Sequence, residues 1–265
     1  LEARDLVVEK LKAQNLLEAE EEIDQNVGTS DRFGDVVEAI PMNQWWLDVN
    51  KEIPSRGKSL RDLMREALTT GLDGDKTKKV NVTPERFTKL YLDRVDSLRD
   101  WCLSRQIWWG HRIPVWYKGE QIQVGAEKPE GEGWAQDEDT LDTWFSSGLW
   151  TFSTLGWPNQ ESDIKTFHPT SWMQMGYEIL YLWLMRMVLM STYNLDQIPF
   201  KDAYIHGMLR DKDGQKFSKS AGNGIDPVEV MEKYGTDALR WSLLSGISQG
   251  NDSKFYLEKV EGSRN

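Results

Sequence analysis

Residues 179–190 (ILYLWLMRMVLM) constrain this chain more than any other stretch. As a helix this run is apolar on every face and must be buried all round. It carries Arg186 and is too short for the ~20 residues a bilayer demands. Its flanks decide where it goes. SWMQM at 171–175 reads as a strand stopping at Gly176, and DAYIH at 202–206 as a second strand following Pro199. Strand, a helix from 177 to about 193, and strand predict a βαβ unit with parallel strands and a right-handed crossover. The fold class is therefore α/β. In such sheets ligands bind beyond the carboxyl ends of the strands. That rule makes Gly176-Tyr177-Glu178 and His206-Gly207-Met208 the candidate site.

The rest of the chain reads more weakly. Residues 1 to about 24 suggest one amphipathic helix with Leu6, Val7, Leu11, Leu16 and Leu17 on one face, ending in the solvated acidic run EAEEEID. With that pattern already running at Leu1, and VEGSRN at the other end, the chain reads as a segment of a longer protein. VVEAI and QWWLDV look strand-like, SLRDLMREAL helical, and KVNV like a short strand. Thr83-Pro84-Glu85 suggests an N-cap with Pro at the first helical position, opening a helix through RFTKLYLDRVDSLRDW. IPVWY, a turn at Lys118-Gly119 and QIQVG form a hairpin excursion. Residues 125–138 read as a polar loop, and no internal repeat is visible.

Charge singles out one loop. The net charge of -11 gives no ground for a broad basic surface for nucleic acid, though local clusters can still bind anions. Against that background DKDGQKFSKS at 211–220 sets Lys216 and Lys219 with Ser218 just past a tight turn, leaving the second strand. Mobile ammonium groups with serine donors suit phosphate. Gly214, Gly222 and Gly224 bracket the loop as movement would require. Its exit, Asp226-Pro227-Val228-Glu229, is an N-cap, an N1 proline and a capping-box glutamate. Each strand-end residue has a bland alternative: Gly176 for a turn, Glu178 as a helix-dipole complement, His206 as a polar terminus. With one cysteine, Cys102, and three histidines, neither a disulfide framework nor a Cys/His zinc site can be built, and a reducing, cytoplasmic setting is expected.

KFSKS followed by AGNGIDP resembles the second signature loop, K-M-S-K-S, of the class I aminoacyl-tRNA synthetases. DWCLSRQIWWGHRIPVWY at 100–117 and DTLDTWFSSGLWTFSTLGWP at 139–158 are similar to the valyl branch of that family, and Ser146-Ser147 stands where the isoleucyl branch tends to be acidic. The likeness is strong over roughly 80–265. It implies the second half of a Rossmann-like nucleotide-binding fold over 51–265, with 1–50 as the end of an inserted editing domain and its return linker. It also implies ATP-dependent activation of L-valine and transfer to tRNA(Val), with Mg2+ borne by the nucleotide. Lys216, Lys219 and Ser218 would then meet the phosphates, Lys219 being the more critical, with Lys219 also counted among the ATP-binding residues. Gly176 and Glu178 would hold the ribose, while His206, Gly207 and Met208 frame the adenine. Trp109 and Trp144 match the pocket tryptophans of this subgroup; their bland reading is core packing.

Departures from the family pattern shape the remaining expectations. The first signature, H-x-G-H, is absent, and His111 in WGHR does not fit it. The chain alone is therefore expected to be inactive. Phe217 replaces the signature methionine, and Glu178 a commoner aspartate. TSDRFGDVVEAIP lacks the zinc-binding cysteines often found there, so no protein-bound zinc is expected; the short apolar run at 179–190 leaves no membrane partner expected either. The complete enzyme is expected to be a monomer, the isolated chain to self-associate through an unpaired sheet edge. The rival readings are a non-catalytic nucleotide- or tRNA-binding paralogue, an isoleucyl-type enzyme, and an inert structural fragment.

Overall fold

The computed structural model describes residues 2–30, 34–159, 162–218 and 221–265. The chain divides into two compact units, Leu1–Asn43 and Gln44–Asn265. In the first, helix α1 spans Glu2–Ala13, not the expected 1 to about 24. Asn15 takes a left-handed conformation (φ 55°) that ends the helix. Beyond it, Glu18, Glu21 and Glu22 would have stacked like charge at i, i+3 and i, i+4. The strand expected at VVEAI reduces to one bridge between Thr29 and Val36.

The second unit carries the sheet. QWWLDV contributes only Trp46–Leu47, paired antiparallel with Trp101–Cys102. Helix α2 (Leu60–Leu68) starts at a closed capping box: the Asp62 N–H donates to Ser59 Oγ, and the Ser59 N–H to the Asp62 carboxylate. Strand β1 spans Asn81–Thr83 and helix α3 Arg86–Asp96. Thr83, expected as the cap of α3, is instead held in the sheet opposite Tyr204, and α3 begins after Glu85. The hairpin forms as Val115–Lys118 against Gln121–Val124, with Ala135–Gln136 added on its other side. Helix α4 (Thr143–Ser153) follows Asp142, whose carboxylate accepts the Trp144 N–H at 3.0 Å.

Next come strand β2 (Thr170–Gly176), helix α5 (Met185–Leu195) and strand β3 (Phe200–His206). The sheet order is β2-β3-β1, every pairing parallel, so the expected βαβ unit forms. Its helix is less regular than expected. A 3-10 turn at Tyr177–Ile179 and a π turn at Leu180–Leu184 precede α5. We attribute the wide turn to pinned aromatic side chains: Trp183 Nε1 donates to the Ser147 carbonyl at 3.0 Å, and Tyr181 lies under the Arg94 guanidinium.

Leu180, Leu184, Met185, Met187 and Val188 are fully buried, with Phe200 and Ile205 below them, as an all-round apolar run requires. Arg186 is accommodated by stacking its guanidinium 3.7 Å from the Trp101 ring centroid. Burial pulls its pKa down to about 10, against the opposing pull of Asp142. No helix among the described residues is long and apolar enough to cross a membrane.

Gly148 fixes the seating of α4 on α5. A Cβ there would lie 2.9 Å from Met190 Cγ and 3.0 Å from the Arg186 carbonyl oxygen. Replacing Gly148 by Ala gains up to ~1 kcal/mol of helix propensity, but overpacking costs about 1–3 kcal/mol. We expect a net loss of about 1 kcal/mol, measured as a lowered denaturant midpoint at unchanged slope. A midpoint at or above the parent's would contradict this packing.

Candidate functional site at the strand ends

The ends of β2 and β3 are level, with Gly176 opposite His206. Gly176 has φ −72° and ψ 149°, open to any residue, so the turn does not require glycine. Space does. A Cβ would lie 3.0 Å from Met208 Sδ and 3.4 Å from His206 Cε1. The sequence-predicted Gly176, His206 and Met208 are thus brought together, with imidazole and thioether folded over the end of β2. His206 Nδ1 lies 2.7 Å from the Gly207 carbonyl oxygen. Because a carbonyl only accepts, Nδ1 carries the proton, which leaves Nε2 as the one ring nitrogen that can act as an acceptor.

At Gly207 and Met208, expected with His206 to frame the adenine, a neighbouring segment covers the backbone. A Cβ on Gly207 would fall 1.9 Å from the Asn251 carbonyl oxygen. The Met208 N–H donates to Asp252 Oδ1 at 2.8 Å, and the Met208 carbonyl accepts the Ser253 N–H at 3.0 Å. The His206 ring and the Met208 side chain are the parts of this segment that lie over the end of β2.

Glu178 lies half-buried in the 3-10 turn that follows β2, and its Oε2 is ion-paired with Lys216 Nζ. The loop that delivers Lys216 is built in steps. Asp211 closes the DKDG turn by accepting the N–H groups of Asp213 and Gln215 at 3.0 and 2.8 Å, with Gly214 at φ 85°. The backbones of Arg210 and Lys216 then bridge. Asn223 binds the loop from its far side: its amide donates to Asp211 Oδ2 and to the Lys216 carbonyl, and its Oδ1 accepts the Ser218 N–H at 3.0 Å. Asp211 is held below the usual carboxylate range, chiefly by the Asn223 amide. Ser218 Oγ accepts the Ala221 N–H. Lys219 and Ser220 lie outside the described residues.

Phe217 anchors the loop, as a substitute for the signature methionine should. It packs against Val230, Leu239 and Phe255, beside a cavity of about 330 Å3. The helix after the loop, α6 (Pro227–Tyr234), is capped as expected by Asp226, but on the Val228 N–H instead of through a box with Glu229.

The tryptophans are not joined. Trp109 is 92 % exposed, while Trp144 sits half-buried on the main core, so the described residues form no enclosed cavity walled by both. A separate apolar cavity of about 560 Å3, lined by Leu47, Phe145, Leu149, Leu189 and Tyr193 among others, holds none of the strand-end residues. Among the described residues no group of three or more His, Cys, Asp or Glu is placed to hold a metal ion; positions 31–33 of TSDRFGDVVEAIP fall outside them.

Three contributors escaped the sequence reading. Asp252 accepts bonds from Met208, Arg210 and Tyr177; it is 44 residues from Met208, in a stretch without periodicity. Arg210 and Asn223 were the other two. The AGNG context of Asn223 was a usable signal, since a loop asparagine bonds nearby backbone. Together the edge offers a cation, a half-buried carboxylate, a ring acceptor and a glycine-sized recess. That set suits a ligand combining anionic groups, hydroxyls and a flat ring.

Residues 18–134 and 127–256 match the family described as tRNA synthetases class I (I, L, M and V). A valine--tRNA ligase of Oceanobacillus iheyensis is 46% identical over 268 residues, covering 100% of this chain and 29% of that protein. One from Halalkalibacterium halodurans is 47% identical with the same coverage. The chain thus spans under a third of the curated relatives' length. Among solved structures, Mycobacterium tuberculosis methionyl-tRNA synthetase bound by methionyl-adenylate superposes with a TM-score of 0.61 at 18% identity, over 92% of this chain and 41% of that one. An Agrobacterium radiobacter LeuRS–tRNA–LeuAMS complex gives 0.53 at 24% identity, over 63% and 27%. These two likenesses speak to fold, a class I synthetase catalytic architecture.

Replacing Asn223 by Ala removes the clasp on the loop. Amide exchange at Ser218 should then accelerate by about tenfold, the worth of ~1–1.5 kcal/mol of lost hydrogen bonding, with the global unfolding midpoint nearly unchanged. Unaltered exchange would show that the loop is held by something else.

Proposed function

The chain belongs to the class I tRNA synthetases of the I, L, M and V group, and from that premise we propose that the full protein activates L-valine with ATP and passes it to tRNA(Val). The observation that carries the reading is the Lys216–Glu178 pair at the level ends of two parallel strands. It supports a nucleotide site in which ribose hydroxyls take Glu178 and phosphates take Lys216 and Lys219. Both members of the pair are partly exposed. Such a contact is worth ~0–1 kcal/mol, and charge-assisted bonds to phosphate are stronger. The nucleotide therefore displaces the pair at little cost.

In the first step a valine carboxylate oxygen attacks the α-phosphorus, and the bond to the bridging oxygen breaks. Pyrophosphate leaves with its Mg2+, and valyl-adenylate remains. In the second, a hydroxyl of the terminal adenosine of tRNA takes the acyl group and AMP departs. No side chain of this chain has to exchange a proton in the first step. Its contribution is positioning and stabilisation of charge on the phosphates. His206 Nε2 is suited to accept from an exocyclic amine or a hydroxyl of the nucleotide, while Met208 packs on the base. Trp109 and Trp144 wall the valine pocket once residues outside this chain close over Trp109. Relatives at 43–47% identity support valine over isoleucine. We further propose that residues 1–50 close the editing insertion and that the enzyme works as a cytoplasmic monomer.

The test is valine-dependent exchange of labelled pyrophosphate into ATP by the full-length protein. Exchange should occur with valine and fall to background with isoleucine, and Lys219→Ala should nearly abolish it. Glu178→Ala should lower kcat/KM for ATP by about 10- to 100-fold, matching ~1.5–3 kcal/mol for hydrogen bonds to a charged group. A correctly folded protein with no exchange would move the assignment to a non-catalytic paralogue. Exchange with isoleucine instead would move it to the isoleucyl branch.

A further inference from the structure

Resting on the nucleotide site just proposed, we infer that Asp252 is a positioning residue for it, fixing the distance between the two strand ends and the base of the KFSKS loop. The carboxylate touches three segments that are far apart in sequence. Its Oδ1 accepts the Met208 N–H at 2.8 Å, just past β3. Its Oδ2 accepts the Tyr177 hydroxyl at 3.1 Å, one residue before Glu178, and Arg210 Nε at 2.5 Å. The Arg210 backbone is the one bridged to Lys216. One side chain thus ties together the supports of Glu178, His206 and Lys216, the residues assigned to ribose, base and phosphate.

The surrounding chain is shaped to deliver that carboxylate. Gly207 leaves the space in which the Asn251 carbonyl and the Asp252 N–H lie against the strand end; with a Cβ they would sit at 1.9 and 2.5 Å. From the opposite side Arg86 Nη2 donates to the Gln249 carbonyl at 3.0 Å and to Asn251 Oδ1 at 2.7 Å. Gly250 turns at φ 74° where a side chain would strike Phe87. Ser253–Lys254 then pair in parallel with Leu209–Arg210, and the Phe255 N–H donates to the Arg210 carbonyl at 2.7 Å. Tyr177 is held from its face as well, stacked on Phe87 with centroids 6.3 Å apart and planes within 10°. Nothing in this arrangement places Asp252 against a ligand. Its effect is exerted through Tyr177, Met208 and Arg210.

Partial burial pushes the Asp252 carboxyl up, but the bonds from Met208, Arg210 and Tyr177 outweigh it and leave it below the ordinary value. It is therefore a full anion opposite Arg210 throughout the neutral range. An asparagine of the same shape would keep one acceptor and turn an N–H2 toward the Arg210 or Met208 donor. Displacements of ~1 Å in such supports are worth about 100-fold in rate.

The experiment compares Asp252→Asn, Tyr177→Phe and the double variant in the full-length protein, reading ATP affinity by titration, pyrophosphate exchange and the unfolding midpoint. Asp252→Asn should weaken ATP use, as kcat/KM, by about 10- to 100-fold, while KM for valine stays within about twofold and the midpoint is kept. Tyr177→Phe should cost about threefold, and the double variant should be no worse than Asp252→Asn, because both act through one carboxylate. Independent, multiplying effects, or equal damage to the ATP and valine parameters, would overturn the inference. If Asp252→Asn does not fold, Tyr177→Phe decides: unchanged ATP parameters overturn the inference, a selective loss supports it. A parent protein that binds ATP but lacks valine-dependent exchange would refute the valine assignment, while the ATP titrations would still judge Asp252.

Discussion

The pairing of Thr170–Gly176 with Phe200–His206 is the constraint on which the rest depends. A parallel pair cannot be closed by a short turn, so the chain must cross over. The crossover here is an apolar helix that fills the core above the sheet. Because the two strands end in register, whatever follows Gly176 and whatever follows His206 start side by side. The glycine at the first end leaves room for the side chains beyond the second. A shift of either strand by one residue would point its buried side chains the wrong way and separate Glu178 from the loop that carries Lys216. Fold and site are one specification.

The loop of opposite charge follows from the same edge. In a chain of net charge -11, a cationic loop needs a partner. In this structure Lys216 takes Glu178 as that partner. The contact keeps the loop near the strand ends without locking it, since a partly exposed ion pair is weak. Firm attachment is left to other contacts: the Asn223 amide across the loop, Phe217 packed beneath it, and the Asp252–Arg210 ion pair at its base. Because none of these holding contacts uses the Lys216 ammonium, it can change partners while the loop stays attached.

Much of this was legible in the sequence, and the part that was not has physical reasons. The βαβ unit was readable because an all-round apolar helix between two β-rich runs has few other ways to be buried. The 115–124 hairpin and the Asp226 cap were readable because turn and cap chemistry is local. Gly176, His206, Met208, Glu178 and Lys216 were singled out by combining a strand-end rule with a loop signature; Gly176 lies beside His206 and Met208, and Glu178 pairs with Lys216. Local reading failed where tertiary contacts decide. Thr83 looked like a cap but was claimed by the sheet, and Asn15 with its acidic neighbours stopped a helix that periodicity carried on. The wide turn at Leu180–Leu184 answers to Trp183 and Tyr181 reaching other helices. Asn251 and Asp252, more than forty residues on, cover the backbone of Gly207 and Met208, a contact that no local pattern announces. Trp109 gave no local signal to separate pocket from core, and it is 92 % exposed here.

The central claim is that nucleotide binding at the strand ends replaces the Lys216–Glu178 pair. The most direct measurement is a crystal structure of the full-length protein with a non-hydrolysable valyl-adenylate analogue, read as the distance between Lys216 Nζ and Glu178 Oε2. The account predicts a separation beyond ~4 Å, outside ion-pair range, with Glu178 on the ribose hydroxyls and His206 and Met208 against the base. A ligand bound elsewhere, or bound here with the pair intact, would contradict it.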